Sequence, residues 1–342
     1  MALLRVTSPH GHGQQSTSQV MSQVLLATLP GVAALTWFFG PGTLINIIFG
    51  GLMALAMEYV ALAIRGRDPR PYLKDYSVLV TSTLLCIALP PYSSWWLLTV
   101  GMFSAVILGK HLFGGLGYNP FNPAMVGYVV LLISFPLQMS TWAAPVGWSG
   151  APGLGEALTA LLQPATYDAI TLATPLDVLK HNQGLLLDDL YRESASFGQW
   201  AGLGWEWVNL GFLLGGGWLL YRRVFTWHAP LAMLATLGLA AAVGFDDGSS
   251  QSGGSPLFHW LSGASMFGAF FIITDPVSSA TSLRGKLIFG ALAGLLVYLI
   301  RVAGNYPDAI AFAVLIMNFA APLIDQYTQP QTYGHGDRGE KS

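Results

Sequence analysis

The residues of this sequence that are best suited to a chemical reaction lie in the run Asp168-Ala169-Ile170-Thr171-Leu172-Ala173-Thr174-Pro175. A threonine hydroxyl attacks a phosphorus centre once a base or a metal ion activates it. Pro175 disfavours a helix at Thr174 and keeps that residue extended, while Ala173 leaves space beside it. Residue types alone are equally typical of an ordinary polar turn, so the run needs support from its context.

Three polar residues beside prolines form a second group of candidates. Asn119 and Asn122 are either turn formers and a helix cap, or amides that line a central cavity. Asp275 either caps a turn before Pro276 or places an anion at a broken helix end.

Glu58 lies within a long apolar stretch, where a charge is costly and often functional. It is a weak candidate for binding Na⁺ or relaying a proton, and a helix-end pair with the region of Arg65 is the favoured alternative. No metal site is predicted, because the histidines lack ligand spacing and Cys86 is the only cysteine.

The elements that must position these residues follow from composition. Of 342 residues, 53% are hydrophobic and only 9% are charged, against about 25% charged in ordinary soluble proteins. So few charges cannot cover a globule of this size, and 15 basic against 17 acidic residues leave no basic excess for nucleic acid. The composition predicts an all-α polytopic membrane protein and excludes a water-soluble enzyme and a nucleic-acid binder.

Ten apolar segments are long enough to span a bilayer, some of them as broken helices. They are 20–39, 43–64, 76–90, 94–109, 122–138, 206–221, 227–245, 257–274, 284–303 and 307–324. The third ends at Pro90-Pro91 and the eighth at Asp275-Pro276, so both are expected to be interrupted.

The distribution of basic residues predicts the orientation. With the N-terminus in the cytoplasm, the cytoplasmic side holds twelve of the 15 basic residues, namely Arg5, Arg65, Arg67, Arg70, Lys74, Lys110, Arg222, Arg223, Arg284, Lys286, Arg338 and Lys341. Both termini are therefore predicted to be cytoplasmic. Trp95, Trp96 and Trp205 are expected in the aromatic belts at the membrane surfaces.

A long polar segment, 139–205, then falls on the outer face and divides the spans five and five. An odd number of spans in each half requires opposite orientations, which predicts two inverted five-helix repeats. Similar Pro-x-Ser-Ser runs start at Pro91, after span three, and at Pro276, after span eight. The predicted parts are a cytoplasmic N-terminus, the first repeat, the periplasmic loop, the second repeat and a cytoplasmic tail, at 1–19, 20–138, 139–205, 206–324 and 325–342.

In this context the run from Asp168 to Thr174 resembles the flavinylation site of two families: the NqrB subunit of the sodium-pumping NADH:quinone reductase and the RnfD subunit of the Rnf complex. Two longer runs are similar to segments of the same families, GKHLFGGLGYNPFNPA at 109–124 and FIITDPVSSAT at 271–281. The short polar region before the first span fits the RnfD family better.

The resemblance implies that Thr174 carries FMN through a phosphoester. A flavin transferase on the outer face attaches it, with FAD as the donor. Asp168, Thr171 and Ala173 match the recognition positions of this signal.

Members of these families also hold a second, non-covalent flavin, riboflavin. Lys110 and Lys286 are either anchors whose charges reach the membrane surface or cations beside this flavin. Asn119, Asn122 and Asp275 are further candidates for this second flavin or its cavity.

The resemblance further implies an electron carrier in a six-subunit complex of the bacterial inner membrane, which links electron transfer between NADH and ferredoxin to the movement of Na⁺ or H⁺. Such a translocase component is inactive alone, and its partners are the other subunits, the flavin transferase and membrane lipid. The alternatives are the NqrB subunit of the quinone reductase, a urea- or ammonium-type channel that shares the fold, and a structural scaffold. A flavin on Thr174 separates these classes, because a channel has no use for it.

Overall fold

The computed structural model describes residues 16–145, 153–162, 171–182, 184–246, 248–250, 252–304, 306 and 308–328. Within these residues, every element longer than an isolated bridge is helical. Four helices are long and apolar enough to cross a membrane, namely Thr17–Phe39, Gly42–Ile64, Leu283–Ala303 and Ile310–Thr328. The prediction of an all-α membrane protein is confirmed at this level.

Seven α-helices and one π-helix lie between the start of the described chain and residue 140. They are α1 (Thr17–Phe39), α2 (Gly42–Ile64), α3 (Pro69–Leu73), α4 (Ser77–Ala88), α5 (Trp95–Met102), π1 (Phe103–His111), α6 (Pro123–Ser134) and α7 (Pro136–Ser140). The described residues of the polar segment then add α8 (Leu154–Leu162), α9 (Pro175–Lys180) and α10 (Leu187–Glu193).

The remaining helices follow the polar segment. They are α11 (Trp205–Tyr221), α12 (His228–Val243), α13 (Pro256–Leu261), α14 (Ser265–Phe267), the π-helix π2 (Gly268–Ile272), α15 (Leu283–Ala303) and α16 (Ile310–Thr328). Their ends lie within a few residues of the predicted apolar segments. Three segments are not plain α-helices: 94–109 continues from α5 into π1, 122–138 is interrupted at Phe135 between α6 and α7, and 257–274 is broken at 262–264.

Glycines allow the closest helix contacts. An added Cβ at Gly215 in α11 would overlap the carbonyl oxygen of Ala27 in α1, and one at Gly294 in α15 would overlap that of Met233 in α12. Small residues at such contacts let helix backbones approach where lipid supplies no hydrophobic driving force. The backbones of α1 and α11, and those of α12 and α15, therefore pack in direct contact at these glycines.

Two asparagine side chains form hydrogen bonds with backbone groups at the points where helices are broken. Asn46 Nδ2 donates to Pro90 O at 3.0 Å and to Pro91 O at 3.2 Å, at the end of α4. Asn209 Nδ2 donates to Gly263 O at 2.9 Å and its Oδ1 accepts from Met266 N at 3.0 Å, across the break between α13 and α14. Broken backbone inside a membrane protein needs such partners.

The polar segment has a small apolar core of its own. It consists of Leu176, Leu187, Leu190, Phe197 and Ala201 together with Phe258 and Leu261 of α13. This core fastens α9 and α10 to α13, so the chain around Thr174 is docked on the helix bundle.

Candidate functional site

One cavity of about 450 Å³ is lined by the polar residues that the sequence predicted for a second flavin or its cavity. Its lining includes Lys110, Asn119, Asn122, Asp275 and Lys286. These residues come from parts of the chain before and after the polar segment, and the fold brings them together. We name this space the Lys110 cavity.

The π-helix π1 directs two consecutive side chains to one carboxylate. Lys110 Nζ donates to Glu58 Oε1 at 2.9 Å, and His111 Nε2 lies 2.7 Å from Glu58 Oε2. Lys110 Nζ also donates to Ser77 Oγ at 3.0 Å, and Ser77 lines the Lys110 cavity. Short π-helical turns are frequent at functional sites.

Two interpretations from the sequence are wrong at this point. Lys110 is not an anchor that reaches the membrane surface, because only 2% of it is exposed. Glu58 pairs with Lys110 and His111 rather than with Arg65, because π1 packs against α2 and supplies both partners.

The asparagines act both as caps and as cavity walls. Asn122 Oδ1 accepts from Met125 N at 3.2 Å and so caps α6, while Asn122 N donates to Asn318 Oδ1 at 3.0 Å. Asn119 Nδ2 donates to Phe121 O at 2.9 Å, whereas its buried Oδ1 has no hydrogen-bond partner among the described residues. Asn119 therefore offers a spare acceptor at the cavity wall.

Asp275 likewise combines two roles that the sequence left open. Its Oδ1 accepts from Val277 N at 3.2 Å and its Oδ2 accepts from the Ser278 hydroxyl at 2.7 Å, as expected of a turn cap. The same residue lines the Lys110 cavity, as does the half-buried Lys286 in the first turn of α15. Asp275 thus faces the cavity from a turn that it stabilises itself.

A second cavity, of about 510 Å³, lies beside Thr174. Its walls are mostly apolar and include Trp142, Trp205 and Phe212. Its polar members include Thr174, Asp177, His181 and Asp308. We name this space the Thr174 cavity.

Thr174 is the N-cap of α9 and is half-buried. Its hydroxyl donates to Asp177 Oδ2 at 2.7 Å and accepts from Asp177 N at 3.3 Å. The backbone at Thr174 is extended, with φ −66° and ψ 155°, which confirms the effect predicted for Pro175. The nucleophile candidate is thus oriented by a carboxylate one helical turn away.

Three contacts hold the chain just before Thr174. Thr171 forms an antiparallel bridge with Ala143, and Leu172 N donates to Trp142 O at 3.0 Å. Ala173 is exposed, while its carbonyl oxygen accepts from Ser196 Oγ at 2.8 Å. Asp168 lies outside the described residues.

Lys180, at the C-terminal end of α9, forms a hydrogen bond with the loop before α16. Its Nζ donates to Tyr306 O at 2.9 Å, in the loop before α16. Burial lowers the pKa of Lys180, and the nearby Asp177 carboxylate acts in the opposite direction.

Trp205 was expected in an aromatic belt, and this prediction is wrong. It is only 8% exposed, and its ring centroid lies 4.8 Å from that of Trp142 and 5.1 Å from that of Phe39. Tertiary packing places these rings at the Thr174 cavity rather than at the lipid surface. Sequence reasoning missed Trp142 altogether, because nothing in the sequence pattern distinguishes it from other tryptophans.

A thin apolar partition separates the two cavities. Adjacent residues of α6, Ala124 and Met125, line opposite cavities, and one turn of α4 does the same. Phe212 and Phe271 face each other across this partition with ring centroids 5.7 Å apart. The cavities therefore lie at different heights between the same helices.

Two further residues could have been found from local signals. His111 directly follows Lys110, and Asp177 stands three residues after Thr174, at the spacing of an N-cap and its partner. Among the residues that the structure describes, no group of three or more His, Cys, Asp or Glu side chains could hold a metal ion.

These observations define the class of protein: a membrane protein whose described elements are helical, with cavities inside its helix bundle. The chain belongs to the NQR2, RnfD, RnfE family, whose model matches residues 5–334.

Three relatives illustrate the similarity, and each is named as the D subunit of an "Ion-translocating oxidoreductase complex". The protein from Cellvibrio japonicus is 54% identical over 98% of this chain and 96% of its own length. The protein from Pseudomonas aeruginosa strain UCBPP-PA14 is 55% identical over 100% of this chain and 99% of its own. The protein from Alcanivorax borkumensis is 50% identical over 98% of both chains.

Proposed function

We propose that the chain is the membrane-embedded RnfD component of an ion-translocating oxidoreductase complex, where it carries electrons and works only with the other subunits. The family match, the shared name and the full-length coverage of the relatives support this assignment. The shared name and the full-length coverage of the relatives favour it over the NqrB subunit of the quinone reductase, whereas the family model covers both subunits. The complex is proposed to couple electron transfer between NADH and ferredoxin to the movement of Na⁺ or H⁺, with six subunits in a bacterial inner membrane.

The proposed arrangement has ten spans in two inverted halves, 20–138 and 206–324, separated by the periplasmic loop 139–205. Two helix pairs support it. Helix α1 packs against α11, and α6 packs against α16, so the first span contacts the sixth and the fifth contacts the tenth. A two-fold axis between inverted halves brings equivalent helices together in this way.

Thr174 is proposed to carry FMN through a phosphoester. The observation that carries this proposal is the position of the Thr174 hydroxyl at the edge of a cavity of about 510 Å³ with aromatic walls. Pockets for cofactors have volumes of roughly 300–1,000 Å³ and are mostly apolar. When bound, FMN supplies single-electron transfer.

The chain's own residues have distinct roles in this arrangement. Thr174 Oγ would attack the phosphorus of FAD on the FMN side in the transferase. The new O–P bond would replace the bond between the two phosphates, AMP would leave, and the hydroxyl proton would pass to a base or to solvent. Asp177 orients the hydroxyl beforehand, and that hydrogen bond is lost once the ester has formed. Trp142 and Trp205 provide flat walls beside the attachment point.

The Lys110 cavity is proposed to bind the second, non-covalent flavin, riboflavin. Its volume of about 450 Å³ and the spare acceptor at Asn119 Oδ1 fit a neutral ligand that has hydrogen-bond donors. Lys286 and Asp275 provide opposite charges at the same wall. Glu58 is not proposed as a cation site, because both of its oxygens are engaged by Lys110 and His111.

The test is in-gel flavin fluorescence of the denatured chain after co-expression with a flavin transferase. Wild type is expected to fluoresce and Thr174→Ala to be dark. Thr159→Ala is the matched control, because Thr159 is an exposed threonine of the same polar segment, and it should fluoresce like wild type. A dark wild-type band beside an active transferase control would sink the assignment.

A channel is the competing function. One observation favours it, since the two cavities lie one above the other between the same helices. The apolar partition between them opposes a continuous polar path. If the wild-type band is dark, solute uptake by vesicles that contain the purified chain becomes the decisive measurement.

A further inference from the structure

Helix α8 (Leu154–Leu162) is short and has a buried side, an exposed apolar side and an exposed polar side. Ala157, Ala160 and Leu161 are buried, and the helix packs against α2. Leu154, Leu158 and Leu162 are exposed, with Leu154 at 66% and Leu162 at 64%.

The helical periodicity separates these groups. At about 100° per residue, the three exposed leucines fall within an arc of roughly 80°. Gly155, Glu156 and Thr159 occupy a neighbouring arc of roughly 100°, and the buried residues fill the rest. An exposed apolar arc beside an exposed polar arc is the pattern of a helix that lies in a lipid–water interface.

The helix that α8 contacts indicates what covers the leucines. Helix α2 is long and apolar enough to cross a membrane, and its first turns expose Leu44 and Ile48. Those turns lie on the side of the polar segment, because Phe39, just before α2, contacts Trp142 and Trp205. The leucine arc of α8 therefore belongs to a helix packed against α2, whose exposed apolar side chains are expected to face acyl chains.

We propose that α8 lies in the plane of the membrane at the face that carries Thr174, with Leu154, Leu158 and Leu162 among the acyl chains. Only eight residues separate Leu162 from Thr171. An anchored α8 therefore limits how far the flavinylation run can move from the membrane surface. The proposal goes beyond the flavin assignment and does not depend on it.

The experiment places a nitroxide label on single cysteines of the full chain within the assembled complex in lipid nanodiscs. The variants are Leu154→Cys, Leu158→Cys and Leu162→Cys, with Gly155→Cys and Thr159→Cys as matched controls on the polar arc of the same helix. Ile48→Cys in α2 is the lipid reference. The native Cys86 is buried, so the unsubstituted chain should remain unlabelled, and the complex that contains it gives the background to be subtracted.

Collision rates with oxygen, which concentrates in lipid, and with a water-soluble nickel chelate give the environment of each label. The logarithm of the oxygen-to-nickel ratio is expected to be positive at the three leucine positions and at Ile48, and negative at Gly155 and Thr159. A negative value at the leucine positions would place that face in water and overturn the proposal. Shielding of these labels from both reagents would show that another protein of the complex covers the helix, and it would overturn the proposal as well.

Discussion

Glu58, Lys110 and His111 form a buried charged group inside the helix bundle, with exposed fractions of 1% to 6%. Each carboxylate oxygen has its own partner, so the cost of removing the charge from water is offset by directional hydrogen bonds. Lys110 also reaches Ser77 at the cavity wall. The group therefore fixes the position of the one buried cation that lines the Lys110 cavity among the described residues.

Removal of the carboxylate should destabilise the chain strongly. Glu58→Gln leaves Lys110 buried without a counter-charge, and breaking a buried pair in this way costs about 3–5 kcal/mol. The thermal unfolding temperature of the purified protein in detergent should fall accordingly. The double variant Glu58→Gln/Lys110→Met removes both charges and should recover part of the loss. A Glu58→Gln variant as stable as wild type would contradict the buried pair.

Tyr191 predicts a pH dependence in the polar segment. Burial, with a smaller contribution from Asp188, raises the pKa of Tyr191 to about 12, from an ordinary value of 10.0. The folded state binds the phenol proton more tightly, so this contribution to stability is complete below pH 10 and is lost as the pH rises towards 12. Tyr191→Phe should abolish that part of the loss.

The Tyr191 comparison is made by tryptophan fluorescence during denaturant unfolding at several pH values. The hydroxyl of Tyr191 is buried and has no hydrogen-bond partner among the described residues, so its removal should not destabilise the protein at neutral pH. Identical pH curves for wild type and Tyr191→Phe would refute the shifted pKa.

At this scale the sequence pointed to residues that line the Lys110 cavity but not to their partners. The run 109–124 drew attention to Lys110, Asn119 and Asn122. The pairing with Glu58 could not be predicted, because it depends on the π-helical turn and on a contact between residues 52 positions apart. Trp205 was misplaced because exposed and buried tryptophans look alike in a sequence.

At the scale of elements, close contacts between helices depend on particular glycines. Gly215 and Gly217 stand in the same turn of α11, but only Gly215 meets the backbone of α1. The contact between α1 and α11 is also one of the two contacts between equivalent helices of the proposed halves. These glycines therefore offer a matched test of helix packing.

Gly215→Ala should weaken the α1–α11 contact, because the added methyl group overlaps Ala27 O and overpacking costs about 1–3 kcal/mol. Gly217→Ala places its methyl group in open space among the described residues and should be neutral or slightly stabilising. Thermal stability in detergent measures both variants. Equal stability of the two would show that the helices do not approach as closely as described.

The helices themselves were largely predictable, whereas their irregularities were not. Hydropathy identifies long apolar segments because lipid forces the backbone to satisfy its own hydrogen bonds. The break at 262–264 is bridged by Asn209, which is distant in sequence and donates to Leu261 O and Gly263 O. Nothing in the sequence pattern marks the change from α5 to π1. Proline pointed to the break after α4, but no proline stands at 262–264.

At the scale of the whole molecule, both cavities use residues from the two proposed halves. The Lys110 cavity combines Lys110 and Asn122 with Asp275 and Lys286, and the Thr174 cavity combines Met125 with Phe212. Neither site exists in one half alone. Composition and hydropathy indicated the class of protein, but only the fold shows that its candidate sites lie between the halves.

The proposed sidedness follows from charge and gives the last prediction. Twelve of the 15 basic residues fall on one side if the N-terminus is cytoplasmic, and such residues are retained in the cytoplasm during insertion. Asp189→Cys, in the polar segment, and Arg70→Cys, between α2 and α4, are exposed positions on opposite proposed sides. A membrane-impermeant thiol reagent applied to spheroplasts should label Asp189→Cys at once and Arg70→Cys only after permeabilisation. The buried Cys86 should stay unlabelled and serves as the internal control. The reverse pattern would place Thr174 in the cytoplasm, away from the proposed transferase, while leaving the two cavities and their linings unchanged.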